Sequence, residues 1–244
     1  MEWSDSAIVL SSRPHGENGV IVELLTRDHG RHMGLVRGGA SRRIRPTLQP
    51  GNTLEAHWRG RLAEYLGSYT AELATARAGA LMEGRDSLIG LNAFSAICAA
   101  ALPERQPYPA VFVAGEVLLD AMAASDAKAW LPLYARWEAG LLEALGFGLD
   151  LSECAATGST DELVYVSPRS GRAVSKAGAG IYANRLFALP AFLAGDSTSD
   201  PSPDVISEAL RMTGHFLSAR VLEPHGHSLP QARIRLDSLL GESR

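Results

Sequence analysis

The sequence predicts an α+β chain, a small β-barrel followed by a helical domain. Three observations predict it. Through residues 5–73 short β-branched and apolar segments alternate with polar residues at a period of two. From about Ala76 the apolar residues recur at three- and four-residue spacing instead. Gly-rich turns separate the segments of the first part, whereas Pro and Gly clusters break the second. With 244 residues, 46% of them hydrophobic and 20% charged, the chain has an ordinary globular composition, enough for one large domain or two small ones.

The strands follow in order. Ser6-Ala7-Ile8-Val9-Leu10-Ser11-Ser12 is a short alternating segment. Asn18–Thr26 is apolar and β-branched, and the Arg27-Asp28-His29-Gly30 stretch after it is a turn signal. Arg31–Gly39 resumes as a strand through Met33, Leu35 and Val36. In Asn52–Gly60, Leu54, Ala56 and Trp58 alternate with Glu55 and His57. Leu62–Leu73 completes a set of five. Five short strands within about 75 residues suggest a small barrel or sandwich, and a five-stranded oligonucleotide-binding barrel is one solution of that size.

Leu81, Leu88, Leu91 and the run Phe94–Ala101 open the helical part, and Pro103, Pro107 and Pro109 interrupt it. Residues 110–124 make a second helix. Residues 130–146 make a third, with Leu133, Trp137, Leu141 and Leu145 on one face and Gly146 as its stop. Residues 150–185 lose helical character and hold two short strands, Leu163–Ser167 and Arg172–Ser175, in an excursion between helices. Phe187–Gly195 resumes as helix, and helices at 204–221 and 229–240 close the chain. The domains expected are therefore 1–78 and 79–244, with an insertion at 151–185.

Charge is distributed unevenly. The net formal charge is -4, but residues 1–80 hold ten arginines and no lysine against eight acids. Within residues 27–61 stand Arg27, Arg31, Arg37, Arg42, Arg43, Arg45, Arg59 and Arg61, opposed only by Asp28 and Glu55. Guanidinium forks bind phosphates bidentately and stack on bases. Arg37, Arg42, Arg43 and Arg45 flank a Gly-Gly turn, while His57 and Trp58 lie between that cluster and Arg59 and Arg61. Arginines that track a phosphate backbone, interleaved with rings that stack on bases, form the pattern of a nucleic-acid surface. A merely solvated charged face is the plainer alternative.

Catalytic and metal signals are poor. The chain has no phosphate-binding G-x-x-x-x-G-K-[ST], no H-E-x-x-H and no G-x-S-x-G. Gly178-Ala179-Gly180 is a fragment of a dinucleotide fingerprint with Ala183 at its third glycine position. His225-Gly226-His227 has no neighbouring Cys or Asp to complete a metal site. The two cysteines, Cys98 and Cys154, provide neither a disulfide framework nor a four-thiolate zinc site. No apolar run approaches the ~18–20 residues of a membrane span. The opening Met1–Ser12 also lacks the basic start and long apolar core of a signal peptide, so a cytoplasmic chain without a membrane partner is expected. A non-enzymatic DNA-binding protein, a protein-binding adaptor that never meets DNA, and a small hydrolase or transferase using His15, Glu17 or His29 remain the classes open at this point.

Several segments carry a resemblance. Ala7-Ile8-Val9-Leu10, the His15-Gly16-Glu17 turn, Leu24-Leu25-Thr26, His29-Gly30, the run Val36–Arg43 and Leu48-Gln49-Pro50-Gly51 resemble the start of the RecO family of bacterial DNA repair proteins. Leu141–Leu151 is similar to the segment that leads into that family's zinc insertion, and Leu229-Pro230-Gln231-Ala232-Arg233 is similar to its C-terminal part. The resemblance implies an OB-fold barrel, a helical domain and no cofactor. It also implies binding of single- and double-stranded DNA, with Arg31, Arg37, Arg42, Arg43, Arg45, His57, Arg59 and Arg61 as the candidate surface here. Strand annealing is implied too, as is cooperation with RecR in loading RecA onto coated single strands. The acidic tail of the single-strand-binding protein is a further implied partner, and Leu133, Arg136, Trp137 and Arg233 are the candidates for an arginine beside an apolar pocket. The sequence departs from the family's C-x-x-C…C-x-x-C insertion. Only Cys154 is retained, and Thr157, Ser175 and Gly178 stand at the other positions, so a zinc-less insertion held by packing is expected.

Overall fold

A computed structural model describes residues 1–62, 65–195 and 200–241. Five strands, β1 (Glu2–His15), β2 (Gly19–Thr26), β3 (Gly30–Val36), β4 (Thr53–Arg59) and β5 (Ser68–Thr75), close into a barrel in the order β1-β2-β3-β5-β4. All pairings are antiparallel except β3 with β5. β1 closes the barrel by serving two neighbours. Its first half pairs with β4, Glu2 opposite Arg59, and its second half with β2, His15 opposite Gly19. A register shift between Val9 and Ser11 bends it between the two. Alternation sets the interior: Ala7, Val9, Val22, Leu24, Leu54, Ala56, Trp58 and Tyr69 turn inward and are buried together. Closure leaves the sheet no free edge.

The chain separates into two compact units, Met1–Asp126 with Pro230–Leu236, and Ala127–Leu229 with Asp237–Arg244. The change from strand to helix near residue 78 is thus a change of secondary structure but not of compactness. The helices α1 (Ala78–Glu83), α2 (Arg85–Ala101) and α3 (Pro109–Ala124) belong with the barrel. The reason is visible in β1. Four consecutive residues, Ala7 to Leu10, are buried, so this strand needs cover on its outer face as well. Phe94 of α2 packs close to Gly115 of α3, with Ile8 of β1 beside the same glycine. Polar ties fasten the cover. Asn52 Oδ1 accepts from the N–H groups of Arg77 and Ala78 at the start of α1, and its Nδ2 donates to the carbonyls of Pro46 and Thr47. The buried Arg77 guanidinium meets Asp120, Glu116 and the Thr53 hydroxyl.

The second unit holds α4 (Ala127–Ala144), a three-stranded sheet and α6 (Pro203–Phe216), which continues through a π-helical turn to Leu222. The sheet, in the order β7-β6-β8, is made of β6 (Leu163–Val166), β7 (Ala173–Ser175) and β8 (Phe187–Ala188). Between β7 and β8 come the short helix α5 (Lys176–Ala179) and a 3-10 turn. The helix expected over 187–195 is instead β8 followed by a 3-10 turn at Ala191–Leu193, since Pro190 cannot supply a helical N–H. The helix expected over 229–240 is divided into α7 (Gln231–Leu236) and α8 (Ser238–Gly241).

Candidate nucleic-acid interface

Strand register assembles one cationic groove from distant parts of the sequence. On β4 the outward residues are Glu55, His57 and Arg59. His57 lies opposite Thr70 and Arg59 opposite Ser68 on β5. Val36 pairs with Tyr69 on the other side of β5, so the next residue, Arg37, emerges beside Thr70. Arg61 follows the turn at Gly60. Arg37, His57, Arg59 and Arg61 thereby line one open groove of about 720 Å³, with Ser68, Tyr69 and Thr70 along it. None of the described residues lining it is acidic. His57 is the least available of the four, because its Nδ1 lies 3.0 Å from the Ser4 hydroxyl and its Nε2 4.0 Å from the Glu2 carboxylate.

The connection from Arg37 to Asn52 is a series of turns that leaves Arg42, Arg43 and Arg45 exposed. It is not loose. Leu48 is buried in the barrel core, Asn52 ties the loop's end, and Arg45 N–H donates to the Ser41 carbonyl. Arg45 also borders a second, smaller pocket of about 320 Å³ together with Arg13 of β1. Arg13 was not among the expected residues, although it sits on a strand that runs past the same loop. Tyr69 was missed as well, and its hydroxyl is buried with no hydrogen-bond partner. Burial and the nearby Asp5 carboxylate push that phenol well above its ordinary range.

Arg31 does not join this surface. Its side chain is only 14% exposed; it pairs with Glu23 and Glu104, and its Nε donates to the Leu102 carbonyl at 2.9 Å. The physical reason is cover: residue 31 bridges to residue 104, in the segment that follows α2. His29 is also committed within the protein, its Nδ1 2.9 Å from the buried Asp5 carboxylate.

The residues expected to hold an acidic peptide are treated differently by the fold. Arg136 is exposed; its Nε donates to the Phe192 carbonyl and its guanidinium lies over the Phe192 ring at 5.6 Å. Leu133 is half-buried, and Trp137 is buried against Tyr134. Arg233 is fully enclosed on α7 of the first unit, so its guanidinium is not presented to an incoming peptide.

The insertion draws Cys154 and the three departing positions to one point. Cys154 Sγ accepts from Ser175 N–H at 3.2 Å and from Ser175 Oγ at 3.3 Å, and Thr157 also donates to it. These donors pull the thiol down to about 6. Gly178 N–H donates to Ser175 Oγ, and a Cβ at Gly178 would stand 2.7 Å from the sulfur. One thiol, two hydroxyls and a glycine do not fit a structural zinc ion. Among the described residues no three His, Cys, Asp or Glu side chains cluster as metal ligands. Packing supplies the core instead, with Val174 and Ala179 around Cys154 and Leu163, Tyr165, Ala183 and Leu186 against them. Val164 of β6 is exposed. No helix among the described residues is long and apolar enough to cross a membrane.

Comparison with known proteins agrees with this architecture. Residues 1–77 match the family model described as Recombination protein O N terminal, and residues 82–229 match Recombination protein O C terminal. The chain is 48% identical over 238 residues to the DNA repair protein RecO of Rhodospirillum rubrum, covering 96% of this chain and 94% of that protein. It is 49% identical over 241 residues to the RecO of Ruegeria sp., covering 98% of both. Against the RecO of Xanthobacter autotrophicus it is 52% identical over 233 residues, covering 96% of this chain and 94% of that one. A barrel bearing an arginine-lined groove, a helical part following it in the chain and near-full-length identity of about half lead to one assignment: the chain belongs to the RecO family of DNA repair proteins.

Proposed function

We propose that the chain is a non-catalytic recombination mediator that binds single- and double-stranded DNA along the groove lined by Arg37, Arg59 and Arg61. The observation that carries this reading is the convergence of these arginines, from two separate stretches of chain, on one open groove whose described lining holds no carboxylate. The exposed Arg42, Arg43 and Arg45 extend the positive surface from Arg37. Contacts to phosphate carry no sequence information, so little sequence preference is expected. Annealing follows from the same charge, since a basic surface that neutralises two strands lowers the repulsion between them. Work in the cytoplasm with RecR, in loading RecA onto coated strands, completes the reading.

For the acidic tail of the single-strand-binding protein, Arg136 with Leu133 and the Phe192 ring is the better candidate, because Arg136 alone among the expected cations of that site is exposed. Titration of a labelled tail peptide tests it. Equal affinity for the Arg136→Ala protein removes this residue from the site. For the DNA reading, a mobility shift with short single strands and duplexes at two salt concentrations decides between direct binding and a purely protein-binding adaptor.

A further inference from the structure

Beside the groove, the barrel mouth holds an aromatic stack that phosphate binding does not require. The Trp3 ring lies nearly parallel to the His29 imidazole, with centroids 4.0 Å apart and planes 6° from parallel. It is also nearly parallel to Trp58, at 5.7 Å and 17°. His32 and Tyr69 meet Trp3 edge-on, at 5.3 Å and 5.8 Å. The inner ring is closed off: a Cβ at Gly60 or Gly67 would stand 2.5 Å or 2.4 Å from the Trp58 ring, so only glycines fit over it. The outer ring is only partly covered. The His29 side chain is 36% exposed.

The outer ring is also held still. The Asp5 carboxylate, only 3% exposed, accepts from the Asp28 N–H at 2.8 Å and the His29 N–H at 3.2 Å, and it holds His29 Nδ1 at 2.9 Å. An aromatic face fixed in advance loses little freedom when a flat ligand stacks on it. Tyr69 lies between the two: its buried ring packs on Trp3, while residue 69 itself, on β5, borders the groove with Arg37 and Arg59.

We propose that the exposed face of His29, backed by Trp3, is a base-stacking site that receives one unpaired base of a strand whose phosphates lie along the groove. The proposal rests on the DNA-binding reading and refines it. It assigns to this ring a preference for single strands that carry bases, because a duplex has no free base face in its interior to offer. Every base has such a face, so the preference is for base over no base and not for one sequence over another.

The test uses the full chain and three labelled ligands of about 15 nucleotides, the size range of a strand bound by one such barrel: oligo-dT, the same strand without bases, and a blunt duplex. The protein as it stands binds oligo-dT about tenfold more tightly than the abasic strand, the scale of one base–aromatic stack. His29→Ala brings oligo-dT down to the abasic level and leaves the abasic strand, the duplex and the salt dependence unchanged. His29→Phe, which keeps a ring but loses the bond to Asp5, retains the preference. Equal affinity of the unaltered protein for oligo-dT and the abasic strand overturns the stacking site while leaving phosphate binding intact. A uniform loss on all three ligands in His29→Ala also overturns it, since that marks a structural role. Failure of the unaltered protein to bind any of the three overturns the DNA-binding reading itself.

Discussion

Arg31 and Arg37 stand six residues apart, at the start of β3 and just beyond its end, and they meet opposite environments. Around Arg31, the segment after α2 closes over the barrel and supplies Glu104 and the Leu102 carbonyl, while β2 supplies Glu23. Around Arg37 nothing acidic lines the groove among the described residues. The same residue type is a structural tie in one place and a surface charge available to a polyanion in the other. The difference teaches that a dense run of arginine is not one surface. Which of its members remain available depends on what packs over each strand.

The largest effect that sharpens this contrast is on DNA. On the proposed DNA-binding reading, replacing Arg37, Arg59 and Arg61 together by Ala removes three phosphate contacts. It is expected to lower single-strand affinity roughly a hundredfold near 0.1 M salt and to flatten the salt slope by about two, from ~0.7 per contact. Melting temperature stays within a degree or so, since these side chains are exposed; an unchanged salt slope breaks the contrast. Arg31→Ala is the converse. It leaves Glu23, itself mostly covered, without its partner, so a loss of about 2 kcal/mol in denaturant unfolding is expected with the salt slope intact. A change in salt slope with unchanged stability reverses the two roles.

Two smaller effects concern pH. Burial lowers the His32 pKa, so the folded barrel resists a proton that the unfolded chain accepts. Stability is therefore expected to fall as pH drops below about 6.5, the unfolded value, and a His32→Phe variant should show a weaker acid dependence in melts between pH 7 and 5. In the insertion the sign is the same but the window lies higher. The Cys154 thiol is pulled down to about 6 in the folded state, so its contribution is complete above the unfolded value near 9 and is lost as pH falls toward 6. Hydrogen exchange of residues 151–185 should slow as pH-corrected stability rises across that interval, and Cys154→Ser should abolish the trend. Elemental analysis of the purified protein is expected to find no stoichiometric zinc; one ion per chain contradicts the account of this segment.

Much of the barrel was legible because strand periodicity is local. Val20, Val22 and Leu24 alternate within five residues, and Gly30 and Gly38 take positive φ where the turns require it. The apolar run Phe187–Gly195 was misread because a short run has the same composition as strand or helix, and Pro190 decided between them. That residues 151–185 hold one cysteine was legible from residue types alone, whereas the use of Cys154 as a hydrogen-bond acceptor was not. Arg13 and Tyr69 were missed as groove and pocket residues because their roles come from neighbours far along the chain.

The sequence by itself determined the number of strands, the onset of the helices, the positive stretch and the single cysteine of residues 151–185. Each is a property of neighbouring residues or of residue type. Only the tertiary structure decided that Arg37, Arg59 and Arg61 share a groove while Arg31 and Arg233 are withdrawn, and that His29 lies flat on Trp3. Those outcomes depend on strand register and on which helix covers which face, and both are set by pairing and packing across long separations in the chain.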